Sequence, residues 1–223
     1  PGNAAFVPPP PQRVPALLQA LEKYLHRKDA LPPLVRAGLV HVQFETIHPY
    51  LDGNGRIGRL LIALLLQEWK LLPEPLLYLS LFFRRHQAEY YRRLAAVRTG
   101  GDWEGWLDYF LHGVATIAEE AVTSARDLFA TVSADRVRLL QIESVSVAAM
   151  RLFEVLPQQP IVTTGSVRRL IQISKPTAGR AIQTLEATGI LREMTGRQRG
   201  RSFVYQAYLD RLLVETELSE TKR

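Results

Sequence analysis

Twelve consecutive positions, His48-Pro49-Tyr50-Leu51-Asp52-Gly53-Asn54-Gly55-Arg56-Ile57-Gly58-Arg59, hold an imidazole, a carboxylate, two glycines around an amide, and two guanidiniums. Gly53 and Gly55 can take backbone angles closed to other residues, so successive N–H groups can turn toward one point. A helix that begins near Asn54 or Gly55 leaves its first N–H groups unpaired, at the positive end of its dipole. That is a cradle for an anion. Arg56 and Arg59, three apart, project from one side of the first helical turn, where each can grip phosphate oxygens through two N–H groups. Asp52 supplies a hard oxygen of the kind a phosphate-bound magnesium takes, with water completing its shell. His48, with an ordinary pKa of about 6.5, suits removal of a proton from a hydroxyl at neutral pH. These parts together suit nucleotide phosphates, a metal and a hydroxyl nucleophile.

The flanking segments must hold that loop in place. Leu34, Val35, Leu39, Val42 and Phe44 recur at roughly helical spacing before it, in a helix opened by Pro32 and Pro33. After it comes Leu60-Leu61-Ile62-Ala63-Leu64-Leu65-Leu66, too short to cross a bilayer and read as a helix buried on most sides. A polar loop clamped between two core helices is a place where function sits. Upstream, Leu17, Leu18, Leu21, Tyr24 and Leu25 give Val14 to Leu25 one apolar face. Downstream, Pro73 and Pro75 mark a break, Leu76 to Arg98 reads as helix with Tyr90 and Tyr91 on it, and Asp102 is an N-cap after Gly100-Gly101. Trp103 and Trp106 are assigned to the core of a long helix from Trp103 to Val132.

Taken singly, each polar residue of the loop has a commoner structural use: a histidine caps, Asp-Gly turns, paired arginines solvate a face. Jointly, the pattern resembles the signature of Fic proteins, His-Pro-Phe-x-Asp-Gly-Asn-Gly-Arg-x-x-Arg, with Tyr50 in place of the Phe. Gln43-Phe44-Glu45-Thr46-Ile47 and Glu89-Tyr90-Tyr91 are also similar to this family. The resemblance implies a protein adenylyltransferase that moves AMP from ATP to a Ser, Thr or Tyr hydroxyl of a target protein. It makes His48 the general base, Asp52 the magnesium ligand, and Gly53, Asn54 and Gly55 the anion hole. Arg56 and Arg59 then bind the outer phosphates, one of Tyr90 and Tyr91 lines the adenine pocket, and Tyr50 is an aromatic buried behind the loop. The family pattern places a β-hairpin flap just before Phe6-Val7-Pro8-Pro9-Pro10-Pro11. The chain is therefore expected to begin inside or after that flap, as a fragment of a longer protein. An inhibitory Ser/Thr-x-x-x-Glu-Gly/Asn helix, whose Glu would pair with Arg59, finds no match; Thr216 to Glu220 has the spacing but is followed by Thr221.

Over its 223 residues the chain carries 28 Lys and Arg against 22 Asp and Glu, and no cysteine, which leaves neither a disulfide framework nor a thiolate metal site. With no membrane span or signal peptide legible, a cytoplasmic setting is expected. Residues 1–134 hold 14 basic and 13 acidic residues, and residues 135–223 hold 14 and 9, so most of the net +6 lies in the second part. That part reads as helix (Asp135 to Leu156), a Pro157-Gln158-Gln159-Pro160 turn, a short helix from Thr164 to Ile171, and a helix from Lys175 to Thr188 capped by Ser174 and Gly189. Strands at Ile190 to Met194 and Ser202 to Gln206 then flank a basic tip. This succession resembles a winged helix, as found behind many Fic domains. In that reading Lys175 and Arg180 approach the major groove of DNA, while Arg197, Arg199 and Arg201 meet phosphates.

The expected fold is thus mainly α: a Fic-type helical bundle (1–134) followed by a small winged helix-turn-helix domain (135–223). The expected reaction is AMP transfer from magnesium ATP with release of pyrophosphate. Alternatives are transfer or removal of another nucleoside monophosphate by the same site, or a DNA-binding regulator with a Fic-like sensing domain. A homodimer is compatible with either.

Overall fold

A computed structural model of the chain describes residues 6–27, 30–72 and 78–213; the predicted break at Pro73 and Pro75 and the Thr216–Glu220 spacing lie outside them. The chain divides into two compact units, Pro1–Ala121 and Val122–Arg223. No helix among the described residues is long and apolar enough to cross a membrane.

In the first unit a 3-10 turn, Pro11–Arg13, leads into α1 (Val14–His26), followed by α2 (Pro33–Ile47) and α3 (Asn54–Glu68). Proline opens both α1 and α2 within their first two positions, where its missing N–H costs no helical bond. Leu21 of α1 packs with Val40, Phe44 and Ile47 of α2 and Leu65 of α3, which fixes the two motif helices against each other. The far end of α1 is closed by Arg36, whose Nη2 donates to the carbonyls of Tyr24, Leu25 and Arg27 at 3.2, 3.1 and 3.2 Å. Its guanidinium lies over the Trp69 ring at 4.6 Å. A cation on orphan carbonyls at a helix C-terminus meets both their hydrogen-bond demand and the dipole.

Two more helices, α4 (Leu79–Arg85) and α5 (Gln87–Gly100), replace the single helix expected up to Arg98. The break is His86, at φ −113° and ψ 40°, whose ring packs 4.6 Å from Phe82. After Gly101 (φ 68°), Asp102 caps α6 (Trp103–Leu140) by accepting from the Gly105 N–H at 3.0 Å. Trp106 is fully buried and donates its indole N–H to the Gly38 carbonyl at 2.9 Å, tying α6 to α2. Trp103 is not core: on the first turn of α6 it is 42% exposed. Nor is α3 buried on most sides, because Leu60 and Leu64 remain exposed beside buried Ile62, Leu65 and Leu66.

Helix α6 does not stop near Ser133. Thr131 satisfies its hydroxyl on the Asp127 carbonyl one turn back, so a polar stretch there is no stop signal. The predicted helix from Asp135 to Leu156 is instead cut after Leu140 and restarts at α7 (Val147–Val155), capped by Ser146 on the Ala149 N–H at 3.1 Å. The second unit continues with β1 (Ile161–Thr163), α8 (Thr164–Leu170), α9 (Lys175–Ala187), β2 (Arg192–Glu193), β3 (Ser202–Val204) and α10 (Gln206–Leu213). The sheet order is β1-β3-β2, antiparallel throughout, with Ile161 opposite Val204 and Arg192 opposite Val204 on its other side. Ser174 and Gly189 close α9 as the sequence predicts, Gly189 at φ 74°. The strands are shorter than predicted, since Ile190 and Leu191 turn into a core built on Leu139, Leu152, Phe153, Leu185 and Tyr205. Tyr205 donates its hydroxyl to buried Asp135 at 2.8 Å.

Gly113 on α6 tests the tightness of the first unit. A Cβ there would stand 2.5 Å from Cδ1 of the buried Phe82 ring. Gly113→Ala gains helix propensity of about 1 kcal/mol, but an overpacked core loses about 1–3 kcal/mol. A net fall in thermal midpoint is expected; a rise would show that the ring has room to move.

Candidate active site

Helix α2 ends by placing His48 in the left-handed region, at φ 48° and ψ 58°, with its N–H on the Phe44 carbonyl at 2.9 Å. A non-glycine residue there carries roughly 1–2 kcal/mol of strain, which a well-packed neighbourhood must hold. The chain then turns through five residues and enters α3. The side chain of Asn54, the first residue of that helix, is buried and reaches back across the turn. Its Oδ1 accepts from the Tyr50 N–H at 2.9 Å, and its Nδ2 donates to the Tyr50 carbonyl at 2.6 Å. One amide thus satisfies both backbone groups of one loop residue and closes the turn on itself.

Gly53 is the N-cap of α3, at φ 85°, and offers no side chain to it. Its own N–H donates to Asp52 Oδ1 at 2.6 Å, and its carbonyl accepts the helix's first bond, from the Ile57 N–H, at 3.0 Å. The N–H groups of Asn54, Gly55 and Arg56 find no acceptor within the helix, at the positive end of its dipole. Free N–H groups at this place are what the glycine spacing predicts. Arg56 and Asp52 are both exposed and paired at 3.2 Å. Arg59 is half-buried, and a side chain at Gly55 would meet its Nη1 at 3.0 Å.

Beneath the loop lies a layer of polar groups that the sequence reading gave no role. His41, fully buried on α2, has Nδ1 at 3.0 Å from the Gly58 carbonyl and Nε2 at 2.9 Å from the Tyr90 hydroxyl. A carbonyl only accepts, so Nδ1 carries the proton and Nε2 accepts from Tyr90. The ring lies nearly parallel to those of Phe83 and Trp106, with centroids 5.6 and 5.7 Å away. Burial pushes the imidazole down to about 4; the bond to Gly58 opposes that, and the charge of Arg59 adds to it. Glu45 is also buried, and burial raises its carboxyl above the ordinary value against the pull of Arg59 and Arg98. Its Oε1 has no hydrogen-bond partner. Gly58 passes so close that a Cβ would stand 2.5 Å from that oxygen.

The predicted residues are not all placed as expected. His48 is half-buried, with Nδ1 shielded from solvent and without a partner. Tyr50 is 52% exposed rather than buried: its backbone, not its ring, anchors the loop. Tyr90 is a core residue whose hydroxyl is taken by His41, whereas Tyr91 is 57% exposed. Among the described residues no three His, Cys, Asp or Glu gather in one place. In the second unit Lys175, Arg180, Arg197 and Arg199 are exposed, and Arg201 is paired with Glu186 on α9 at 3.1 Å.

The fold is mainly helical, and its third helix starts with free N–H groups, across a five-residue turn from a left-handed histidine that ends the second. Comparison with known proteins finds a similarity over part of the chain. Residues 1–66 match the Fic/DOC family. Over 66 residues the chain is 41% identical to a probable protein adenylyltransferase of Aquifex aeolicus, covering 30% of this chain and 21% of that protein. Over 64 residues it is 41% identical to the protein adenylyltransferase Fic of Drosophila grimshawi, covering 28% of this chain and 13% of that one. The chain thus spans about a fifth or less of these curated relatives. The fold is shared with the crystal structure of a Fic family protein from Desulfovibrio desulfuricans, at a TM-score of 0.53 and 23% identity, over 91% of this chain and 58% of that one.

His41 predicts a pH dependence of stability. Its folded value lies below its unfolded one, so its contribution is complete above about pH 6.5 and is lost as the pH falls toward 4. Between pH 7 and 5 the loss amounts to about 2 kcal/mol. Urea denaturation at both pH values should show the wild type losing about that much more than His41→Gln; equal losses would mean the ring is not held neutral.

Proposed function

We propose that the chain is the catalytic part of a protein adenylyltransferase, transferring AMP from ATP to a Ser, Thr or Tyr hydroxyl of a target protein with release of pyrophosphate. The observation that carries this is the uncapped start of α3: three N–H groups with no acceptor in the helix, within a five-residue turn of His48. The Fic/DOC family match over residues 1–66, which include this segment, and the relatives named protein adenylyltransferase, matched over 66 and 64 residues, support it.

In this mechanism the backbone N–H groups of Asn54, Gly55 and Arg56 take phosphate oxygens, and the Asn54 side chain keeps the turn in shape. Arg56 leaves Asp52 for the triphosphate, a small cost for an exposed ion pair. Arg59 brings a second guanidinium one turn along. His48 accepts the proton of the target hydroxyl as its oxygen attacks the α-phosphorus and the bond to pyrophosphate breaks. Tyr91, with its exposed ring, is better placed than Tyr90 to stack on adenine. Asp52, freed from Arg56, offers magnesium one carboxylate, which fits an ion that takes the rest of its shell from phosphate and water. When bound, the ion neutralises phosphate charge.

We also read the second unit as a winged helix that binds DNA. The succession α7, β1, α8, α9, β2, β3 and the β1-β3-β2 order support the first part. Charge supports the second: residues 161–205 contain eight Lys and Arg but only Glu186 and Glu193 as acids. Glu186 is taken by Arg201, and Glu193 by the N–H groups of Thr195 and Gly196. Arg168, Arg169, Lys175, Arg180, Arg192, Arg197 and Arg199 make no ion pair among the described residues. Such a face should bind a phosphate backbone with a steep loss of affinity as salt rises.

His48→Ala should cut label transfer from α-labelled ATP by about 10²-fold or more without lowering the thermal midpoint. Equal labelling by the two proteins would remove His48 from the chemistry.

A further inference from the structure

The imidazole that the mechanism uses is held by two groups about ninety positions apart, neither of which the loop motif contains. Arg98, on α5, donates from Nη2 to the Glu45 carbonyl at 2.7 Å and from Nε to Thr46 Oγ1 at 3.4 Å. Glu45 and Thr46 are in the last turn of α2, directly before His48. The same guanidinium lies over the ring of Phe6, 3.7 Å from its centroid. Phe6 in turn meets the His48 ring edge-on, at 6.1 Å between centroids.

We propose that Arg98 is a positioning residue for His48, acting through the end of α2 on one side and through Phe6 on the other. This rests on the reading of His48 as the base. The physical case has three parts. The last carbonyls of a helix have no partner within it, and a guanidinium on one of them is a charge-assisted bond at the negative end of the dipole. His48 sits in a strained backbone region, so the turn before it must be pinned or it will relax. Its Nδ1 has no hydrogen bond to set the ring's orientation, which leaves packing to do so. Phe6 supplies that packing, and the cation over its face holds Phe6. Lysine cannot replace arginine here, since only the planar fork can bond the carbonyl and lie flat on the ring at once.

The test uses the full chain as Arg98→Met, Arg98→Lys, Phe6→Leu and the double variant Arg98→Met/Phe6→Leu. The His48 Cε1–Hε1 correlation is followed by NMR without nucleotide, and kcat and KM for ATP are measured with target. The ring current of Phe6 reaches His48, so Phe6→Leu should shift that signal. Arg98→Met should shift it too, and Arg98→Lys should not restore it. Each single variant should lower kcat by about 10- to 100-fold, the scale of a misplaced catalytic group, with KM for ATP changed less than about threefold. The double variant should be no slower than the worse single one. An unmoved His48 signal in Arg98→Met, or losses that multiply in the double variant, would overturn the proposal. Should His48→Ala retain full transfer while Arg98→Met still moves the His48 signal, the coupling stands and the role of His48 as base is what fails. Phe6→Leu keeps the test open if Arg98→Met proves unstable.

Discussion

Everything in the candidate site hangs on one side-chain amide. Asn54 gives its oxygen to the Tyr50 N–H and its nitrogen to the Tyr50 carbonyl, and it does so while buried. Each such bond is worth about 1 kcal/mol net, and leaving either backbone group unpaired would cost about 1–3 kcal/mol. The result is a turn that needs no cap from Gly53. Most helices place Ser, Thr, Asp or Asn at that position, where the side chain would occupy the first free N–H groups and gain about 1 kcal/mol. Here the cap is glycine in the left-handed region, and the N–H groups stay available. The chain gives up local stability at the start of α3, and the amide clamp offsets the loss.

The clamp works only if α3 cannot slide on α2. Gly58 lets the two helices approach until Glu45 and His41 lie against its backbone, and His41 bridges the Gly58 carbonyl to Tyr90 on α5. A charged imidazole in that place would have to leave water for the neighbouring rings of Phe83 and Trp106, so the ring stays neutral. Arg59 reinforces the same choice from above, because its charge opposes a proton on His41 and favours a negative Glu45. The exposed side of the loop is thus polar and open, and its buried side is held by an imidazole that burial keeps neutral.

How far the sequence discloses this depends on distance along the chain. The loop is a local pattern, and local rules read it well: the start of α3, the proline start of α2, the Asp102 cap and the caps of α9 all follow from neighbours within four positions. The groups that hold the loop do not. His41 meets Tyr90 across 49 positions, and Phe6 meets Arg98 across an even longer span; no spacing rule reaches that far. Their one visible signal was a histidine and a glutamate among the apolar positions of α2, which demand buried partners without naming them. Helix ends failed where composition misled. The helix expected to end at Val132 runs on through Ser133 to Leu140, and β1 is three residues long, too short for alternation to register.

The central claim is that the first turn of α3 receives phosphate through its main chain. Amide NMR of the full chain, titrated with a non-hydrolysable ATP analogue and magnesium, measures this directly. The account predicts that the N–H signals of Asn54, Gly55 and Arg56 move together, with a common dissociation constant, while those of α8 and α9 stay still. Saturable binding of the analogue that left these three signals unmoved would contradict it.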